Sequence, residues 1–398
     1  MAVQTTELNT PGNDLSPEMK TYYEKRLIDL AEPKLVHDQF GDRYPIPRGS
    51  GKVIEFRRFD SLDKAVTPLT EGVTPQGNKL NVTSVTAAVN QYGDYIQMSD
   101  MLDLTAVDPV VVQATRQIAG QAGRTLDTVV REELAGGTNV IYAPDSDGNE
   151  KTSRTAIGGS CKLTADLIFR AAAQLKRMNA EPFGQSYVAV IRPSVAYDLM
   201  RSDEWIDVHK YAQPENIYNG EIGKLGGVRF VETTEAKIWR GENLAGAVRN
   251  LAVNHEGGYT GATTVAFDGG TVAENALKGR LVLINGTCAK VTANTASALT
   301  LDTAVTCADN AVIYPGEGGA EGLAVYATLV IGANAYGVTE LTGGGLTHIV
   351  KQKGYGDDPL NQRCAVGWKA TKAAKRLVEQ YMVRIESSSS FAAKDAAN

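Results

Sequence analysis

Cysteine, histidine and aromatic residues are scarce in this chain of 398 residues, and each scarcity removes a class of chemistry. Its four cysteines, Cys161, Cys288, Cys307 and Cys364, stand far apart with no C-x-x-C pair. Neither a zinc cluster nor a dithiol redox centre is indicated, and free thiols are expected. The four histidines, His37, His209, His255 and His348, each stand alone, outside H-E-x-x-H or any similar ligand spacing. A solitary histidine is far more often a surface or packed residue than a proton handler. No serine sits in a G-x-S-x-G elbow, so acyl transfer by that route has no support. An excess of positive charge is missing too: 40 Lys and Arg face 46 Asp and Glu, a formal net charge of −6. That balance argues against a dedicated nucleic-acid binder. The chain also lacks the roughly 18–20 apolar residues in a row that a membrane helix needs. The nearest stretch, 322–338, is broken by Tyr326, Asn334 and Tyr336. No basic-then-apolar signal opens the sequence, so a cytoplasmic product is expected.

Three near-motifs fail on inspection. Arg48-Gly49-Ser50-Gly51-Lys52 has part of a phosphate loop, but Ile46 stands where glycine is needed and Val53 where Ser or Thr is needed. The segment that follows also reads as strand, not helix. Asp145-Ser146-Asp147-Gly148-Asn149 resembles a calcium loop whose glycine comes two positions early and whose bidentate Glu is missing, which leaves an exposed turn. The glycines at 220, 223, 226 and 227 precede a strand, not a dinucleotide-binding helix.

What is present is an ordinary globular composition, 43% hydrophobic and 22% charged, long enough for two or more compact units. Glycine is raised, at 40 residues, which points to many turns around an aliphatic core. The first 15 residues read as an arm, and a helix is expected over 18–31, capped by Ser16 and Pro17. Two strand-like runs, 52–59 and 79–89, flank a tip with no apolar periodicity. This is a long β-hairpin that cannot bury a core of its own. Asp108 and Pro109 open a helix running to Gly136, with Val111, Ala114, Ile118, Ala122, Leu126 and Val129 at spacings of three and four. From 162 the pattern alternates: a helix after Thr164, a strand at 187–191, a helix from Pro193 through Met200 and a strand at 228–232.

Between 242 and 320 charge thins out and short alternating runs at 281–284, 298–301 and 311–314 indicate a small β unit. Within it Thr271–Leu277 recurs as Thr306–Val312, which suggests a shared strand-turn unit. The ending YMVRIESSSSF alternates like a strand returning to a sheet, and the tail after Phe391 is expected to fray.

Taken in order, TPLTEGVTPQGNKL (67–80), VNQYGDYIQMSDMLD (89–103), RPSVAYDLMRSDEW (192–205), NGEIGKLGGVRFVET (219–233) and the run 359–391 carry a resemblance. The chain resembles the major capsid proteins of tailed bacteriophages, specifically the N-four-like family with the Hong Kong ninety-seven-type shell fold. The resemblance covers nearly everything except about 242–320. It implies an α+β fold in which 1–45 is an N-terminal arm with its helix and 46–88 an extended β-hairpin loop. Residues 89–159 are then a peripheral domain with a spine helix at 107–137, and 160–241 and 321–358 the two parts of an axial domain. Residues 242–320 form a small all-β insertion domain, and 359–398 return as strands and tail to the peripheral domain.

The function implied is structural, with no catalytic residue, cofactor, metal or membrane. The chain would assemble with itself as hexamers and pentamers into the icosahedral head around the double-stranded DNA genome. It would meet a portal protein, separate scaffold and decoration proteins, and DNA by weak non-specific contact, and its place is the virion. Some relatives weld subunits through a Lys–Asn isopeptide bond. Lys64 and Lys79 lie in the loop without a matching motif, so a non-covalent shell is expected. Arg48, Lys52, Arg57, Arg58, Lys64, Glu71 and Lys79 are the candidate inter-subunit contacts, although a lone surface charge is worth at most about 1 kcal/mol. The alternative is an encapsulin-like cellular shell of the same fold. An α+β hydrolase is disfavoured by the missing nucleophile and base.

Overall fold

The computed structural model describes residues 36–59, 62, 64–69, 71–74, 77–101, 110–202, 205, 223–351, 360 and 362–398. The helix expected over 18–31, the capping residues Asp108 and Pro109, His209 and Gly220 lie outside them. The chain divides into two compact units, Met1–Glu133 with Tyr336–Leu377, and Leu134–Ala335 with Val378–Asn398.

In the first unit the helix Val110–Ala135 realises the expected spacing: Ala114, Ile118, Ala122 and Leu126 recur every four residues and all are buried. They pack on Met98, Val366, Trp368 and Ala370 of a five-stranded sheet. Its central strand, Arg363–Arg376, pairs antiparallel with Asn90–Ser99, Thr347–Lys351 and Tyr336–Thr339. Tyr336–Thr339 in turn takes the short strand Asp42–Arg43 in parallel. The ladder with Asn90–Ser99 runs from Lys372↔Asn90 to Arg363↔Ser99 without a bulge. Glycine is required at 93, where a Cβ would lie 2.6 Å from the Trp368 carbonyl oxygen. The root of the N-terminal segment is tied down by buried polar contacts. His37 gives its backbone N–H to Asp127 Oδ1 (2.8 Å), and its Nδ1 lies 2.7 Å from Oδ2. Lys372 Nζ reaches Asp38 at 2.6 Å.

The second unit is built on a seven-stranded sheet. Tyr187–Ile191 lies between Val228–Glu232, in parallel, and Val325–Ile331, antiparallel. Beyond Val325–Ile331 come Met382–Ser387, antiparallel, and Val140–Tyr142, parallel to that strand. Tyr187–Ile191, Val325–Ile331 and Met382–Ser387 are buried along their whole length, which is why they read as runs and not as alternation. The helices Ala165–Arg177 and Pro193–Met200 supply Leu167, Ile168, Ala171, Leu175, Val195 and Leu199 to this core. Thr164 stands at the first helix's N-cap, but its hydroxyl makes no capping hydrogen bond.

Two expectations are corrected here. The ending assigned with 359–398 to the peripheral sheet splits at 377/378: Arg363–Arg376 belongs to the first unit, whereas Met382–Ser387 is an interior strand of the second. Burial on both faces decides this, because a strand covered on both sides needs neighbours on both sides. The tail does not fray. Ala324 N–H donates to the Ala393 carbonyl (2.9 Å), Lys237 Nζ to the Asn398 carbonyl (2.8 Å) and Ile238 N–H to Asn398 Oδ1 (2.9 Å).

Within the second unit a closed six-stranded antiparallel barrel spans 251–315, in the order Leu251–Val253, Tyr259–Asp268, Ala298–Cys307, Thr287–Asn294, Leu281–Ile284, Val312–Pro315. Val265, Val282, Val291, Leu299 and Ile313 fill it. The Asn285-Gly286 turn has φ of 46° and 76°, the left-handed pair that a two-residue hairpin requires. The repeated heptapeptide places Asn275 (φ 58°) and Asn310 (φ 60°) at the same position, both left-handed. The shared feature is thus the turn, and only the second copy leads directly into a strand. Closure leaves the barrel with no free edge.

Candidate assembly surfaces

The hairpin Val53–Phe59/Val82–Ala88 pairs residue for residue from Val53↔Ala88 to Phe59↔Val82. At its base the alternation works as burial: Ile54 packs on the small cluster of Ile46, Val89 and Ala373, and Phe56 meets Tyr44 edge-on at 5.1 Å. Past Phe56 the described apolar side chains are open to solvent. Val53, Phe59 and Val82 on the strands, and Leu62, Val66, Leu69, Val73 and Leu80 towards the tip, are exposed, Val66 by 80% and Leu69 by 77%. Single exposed hydrophobes are normal on a soluble protein, whereas several on one limb are a usual mark of an interaction surface.

Around this apolar limb sit the charges picked out in the sequence. Arg57 lies 3.4 Å from Glu55 on the same strand, with both side chains largely in solvent. Arg58 is exposed, and Lys52, Lys64, Glu71 and Lys79 are exposed without an ion pair among the described residues. Arg48 is different: its Nε donates to the Thr342 carbonyl at 3.1 Å, so its first role is to pin its own loop. The structure therefore gathers six of the seven on one limb and sets Arg48 at its root. The apolar residues of the tip were the feature that charge-centred reading missed. The tip was read as lacking apolar periodicity, yet Leu62, Val66, Leu69 and Val73 do fall at spacings of three and four, and that spacing was the available signal.

Elsewhere several polar groups are tied into the fold. His37 and Asp127 are fully buried, and the imidazole's Nε2 has no hydrogen-bond partner among the described residues, so no nucleophile stands beside it. The cleft lined by Asp38, Arg43, Tyr44, Glu340 and Lys372 is about 160 Å³, below the usual size of a small-molecule site. Among the described residues no three His, Cys, Asp or Glu side chains are grouped to hold a metal ion, and no helix is long and apolar enough to cross a membrane. All four cysteines are free. Asp145 accepts from the backbone N–H groups of Asp147 and Asn149 and from Lys151 Nζ (2.8 Å), an internally satisfied turn. The Lys151 bond, followed by those from Asn149, holds its carboxyl well below the usual carboxylate range.

One buried charge cluster is elaborate. Glu386, with no exposed surface, takes both arms of Arg154 (Nε to Oε2 2.8 Å, Nη2 to Oε1 2.7 Å) and Arg384 Nε at 2.8 Å. The Arg154 guanidinium lies 3.7 Å from the Trp239 ring centroid. Burial pulls Arg384 below the ordinary arginine value, and Glu386 opposes that shift. The cluster is closed to solvent on the carboxylate side, which suits a structural tie and not a reaction centre.

Residues 82–272 match the family model described as phage capsid protein. Among solved structures, the chain is similar to the capsid of cyanophage P-SCSP1u at 15% identity, with a TM-score of 0.54 and 89% of each chain covered. It is similar to the capsid of Ralstonia phage GP4 at 12% identity and a TM-score of 0.53, covering 92% of this chain and 90% of that one. The head structure of Helicobacter pylori bacteriophage KHP40 gives 10%, 0.52, 96% and 94% in the same terms. No curated protein matches. At these identities the structural likeness speaks for the fold, while the family pattern speaks for the sequence. Both are those of structural proteins and not of enzymes.

Proposed function

We propose that this chain, a phage capsid protein by family pattern and a tailed-phage capsid subunit by fold, is the major shell protein of a virion. It assembles as hexamers and pentamers into an icosahedral head that encloses double-stranded DNA. The observation that carries this reading is the hairpin. Its base is anchored, its distal half exposes apolar side chains, and a unit with a filled core elsewhere has no use for it. At about 25 cal/mol per Å² of apolar burial, a few hundred Å² on a neighbour yields several kcal/mol before ordering costs. Weak contacts of this kind become collectively strong when every subunit makes several, and heterologous contacts close into rings. The net charge of −6 fits a shell that holds DNA by confinement, with only weak, non-specific contact. A portal protein and a separate scaffold are the remaining partners of this reading, and assembly takes place in the host cytoplasm.

The test is deletion of residues 60–79. The full chain should form megadalton particles or rings of five and six. The deleted chain should stay folded by circular dichroism yet remain unassembled in light scattering. Particles of unchanged size and yield from the deleted chain would remove the hairpin from assembly.

A further inference from the structure

We propose that the loop Arg48-Gly49-Ser50-Gly51-Lys52 is an anion-binding concavity that takes a phosphate group on its backbone N–H groups and its two cations.

As a helix-opening phosphate loop the segment fails, because the strand Val53–Phe59 follows it. An anion site needs no helix, only successive N–H groups turned to one side. The backbone here has that form. Gly49 and Gly51 have φ of 82° and 81°, while Ser50 between them is not left-handed. Such alternation swings neighbouring N–H groups onto one concave side, and glycine takes the left-handed places at no steric cost. The Ser50 N–H makes a long turn bond to the Pro47 carbonyl (3.3 Å), whereas those of Gly49, Gly51 and Lys52 have no acceptor among the described residues. The approach is open: residues 47–53 are exposed, and a Cβ on Gly49 or Gly51 would meet nothing within 4 Å.

The side chains supply the charge. Arg48 and Lys52 close the loop at either end, and the chain carries no acid between Asp42 and Glu55. The Arg48 Nε–H is spent on the Thr342 carbonyl (3.1 Å), which fixes that side chain beside the loop and leaves its outer N–H groups without a partner among the described residues. Three backbone donors, the Ser50 hydroxyl and two cations are more than the two oxygens of a carboxylate can use. They match a phosphate group, with its additional acceptor oxygens and its charge. Two sources present that group, inorganic phosphate and the backbone of double-stranded DNA. The second would join the site to the shell reading, but the site itself does not rest on it.

The test is equilibrium dialysis of the full chain against radiolabelled inorganic phosphate, which serves for subunits and particles alike. Binding should saturate near one phosphate per chain and survive sodium chloride of the same ionic strength. Lys52→Glu should keep its thermal transition and weaken binding at least tenfold. Gly51→Ala, which keeps both cations and disturbs only the left-handed backbone, should weaken it as well. A short DNA duplex that displaces the phosphate assigns the site to the nucleic-acid backbone; a duplex that leaves it bound assigns it to the free anion. If the wild-type chain shows no saturable binding, or if neither substitution weakens it, the site is overturned. Particle formation does not enter these measurements, so that failure leaves the shell reading standing. Should either variant fold poorly, Lys52→Gln decides in its place.

Discussion

Glu386 shows how much a single residue can hold. Its partners Arg154 and Arg384 come from 232 positions away and from two positions away, and neither distance is a recognisable spacing. Removing the acid leaves the buried Arg384 and the partly exposed Arg154 facing each other without their shared carboxylate. Glu386→Ala should therefore destabilise the chain by about 3–5 kcal/mol in denaturant unfolding, and a loss below about 1 kcal/mol would show that water reaches the cluster. Asp145 tests a shallower case, a partly buried carboxylate whose bonds to Lys151 and Asn149 hold its proton affinity down. A depressed value contributes stability above the unfolded-state pKa, and that contribution is lost as pH falls through the folded-state value. Acidification well below pH 4 should therefore loosen the 145–151 turn in hydrogen exchange. Asp145→Asn should loosen it already at neutral pH and flatten the acid dependence; an unchanged profile would contradict the assignment. The left-handed asparagines at 275 and 310 were legible as a repeat, because a turn's chemistry is written in adjacent residues. The Glu386 network was not, because pairing across a sheet leaves no local trace.

At the scale of elements the same divide holds. The expected strand at 187–191, the helix 193–200 and the strand 228–232 occur with those bounds, and the long helix is Val110–Ala135, because periodicity is a local property. Sheet membership is not local. The alternation of YMVRIESSSSF announced a strand but could not say that it would join Val325–Ile331 and not Arg363–Arg376. Nor did the short runs between 281 and 314 announce closure into a barrel, which depends on Leu251–Val253 pairing with both Tyr259–Asp268 and Val312–Pro315.

At the barrel's root Arg249 donates to the carbonyls of Gly241 and Gly322, and Arg280 to those of Glu242 and Asn243. A Cβ on Gly241 would come 2.2 Å from Pro315 Cβ, so the two connecting segments touch. Replacing 244–315 by a short glycine-serine linker should therefore leave the seven-stranded sheet folded, with soluble expression and a cooperative thermal transition. Insoluble protein would show that the barrel is needed for that core.

At the scale of the whole molecule, the sequence's scarcities and the structure's exposures point the same way. Histidine, cysteine and nucleophile motifs are sparse, and among the described residues eight exposed large hydrophobic side chains lie along one limb. On the proposed reading the limb's apolar tip, more than the charges around it, carries the association energy, since exposed ion pairs contribute little. Arg57→Ala with Arg58→Ala should thus slow assembly and change its salt dependence, whereas Val66→Asp with Leu69→Asp should abolish particles; light scattering separates the two. A cryo-electron map of particles assembled from the full chain tests the account most directly. The expected map shows closed shells of fives and sixes with density for 53–88 lying on a neighbouring subunit. A map in which that hairpin folds back over its own unit, or a chain that stays a 42.5 kDa monomer at every concentration and with scaffold present, would contradict it.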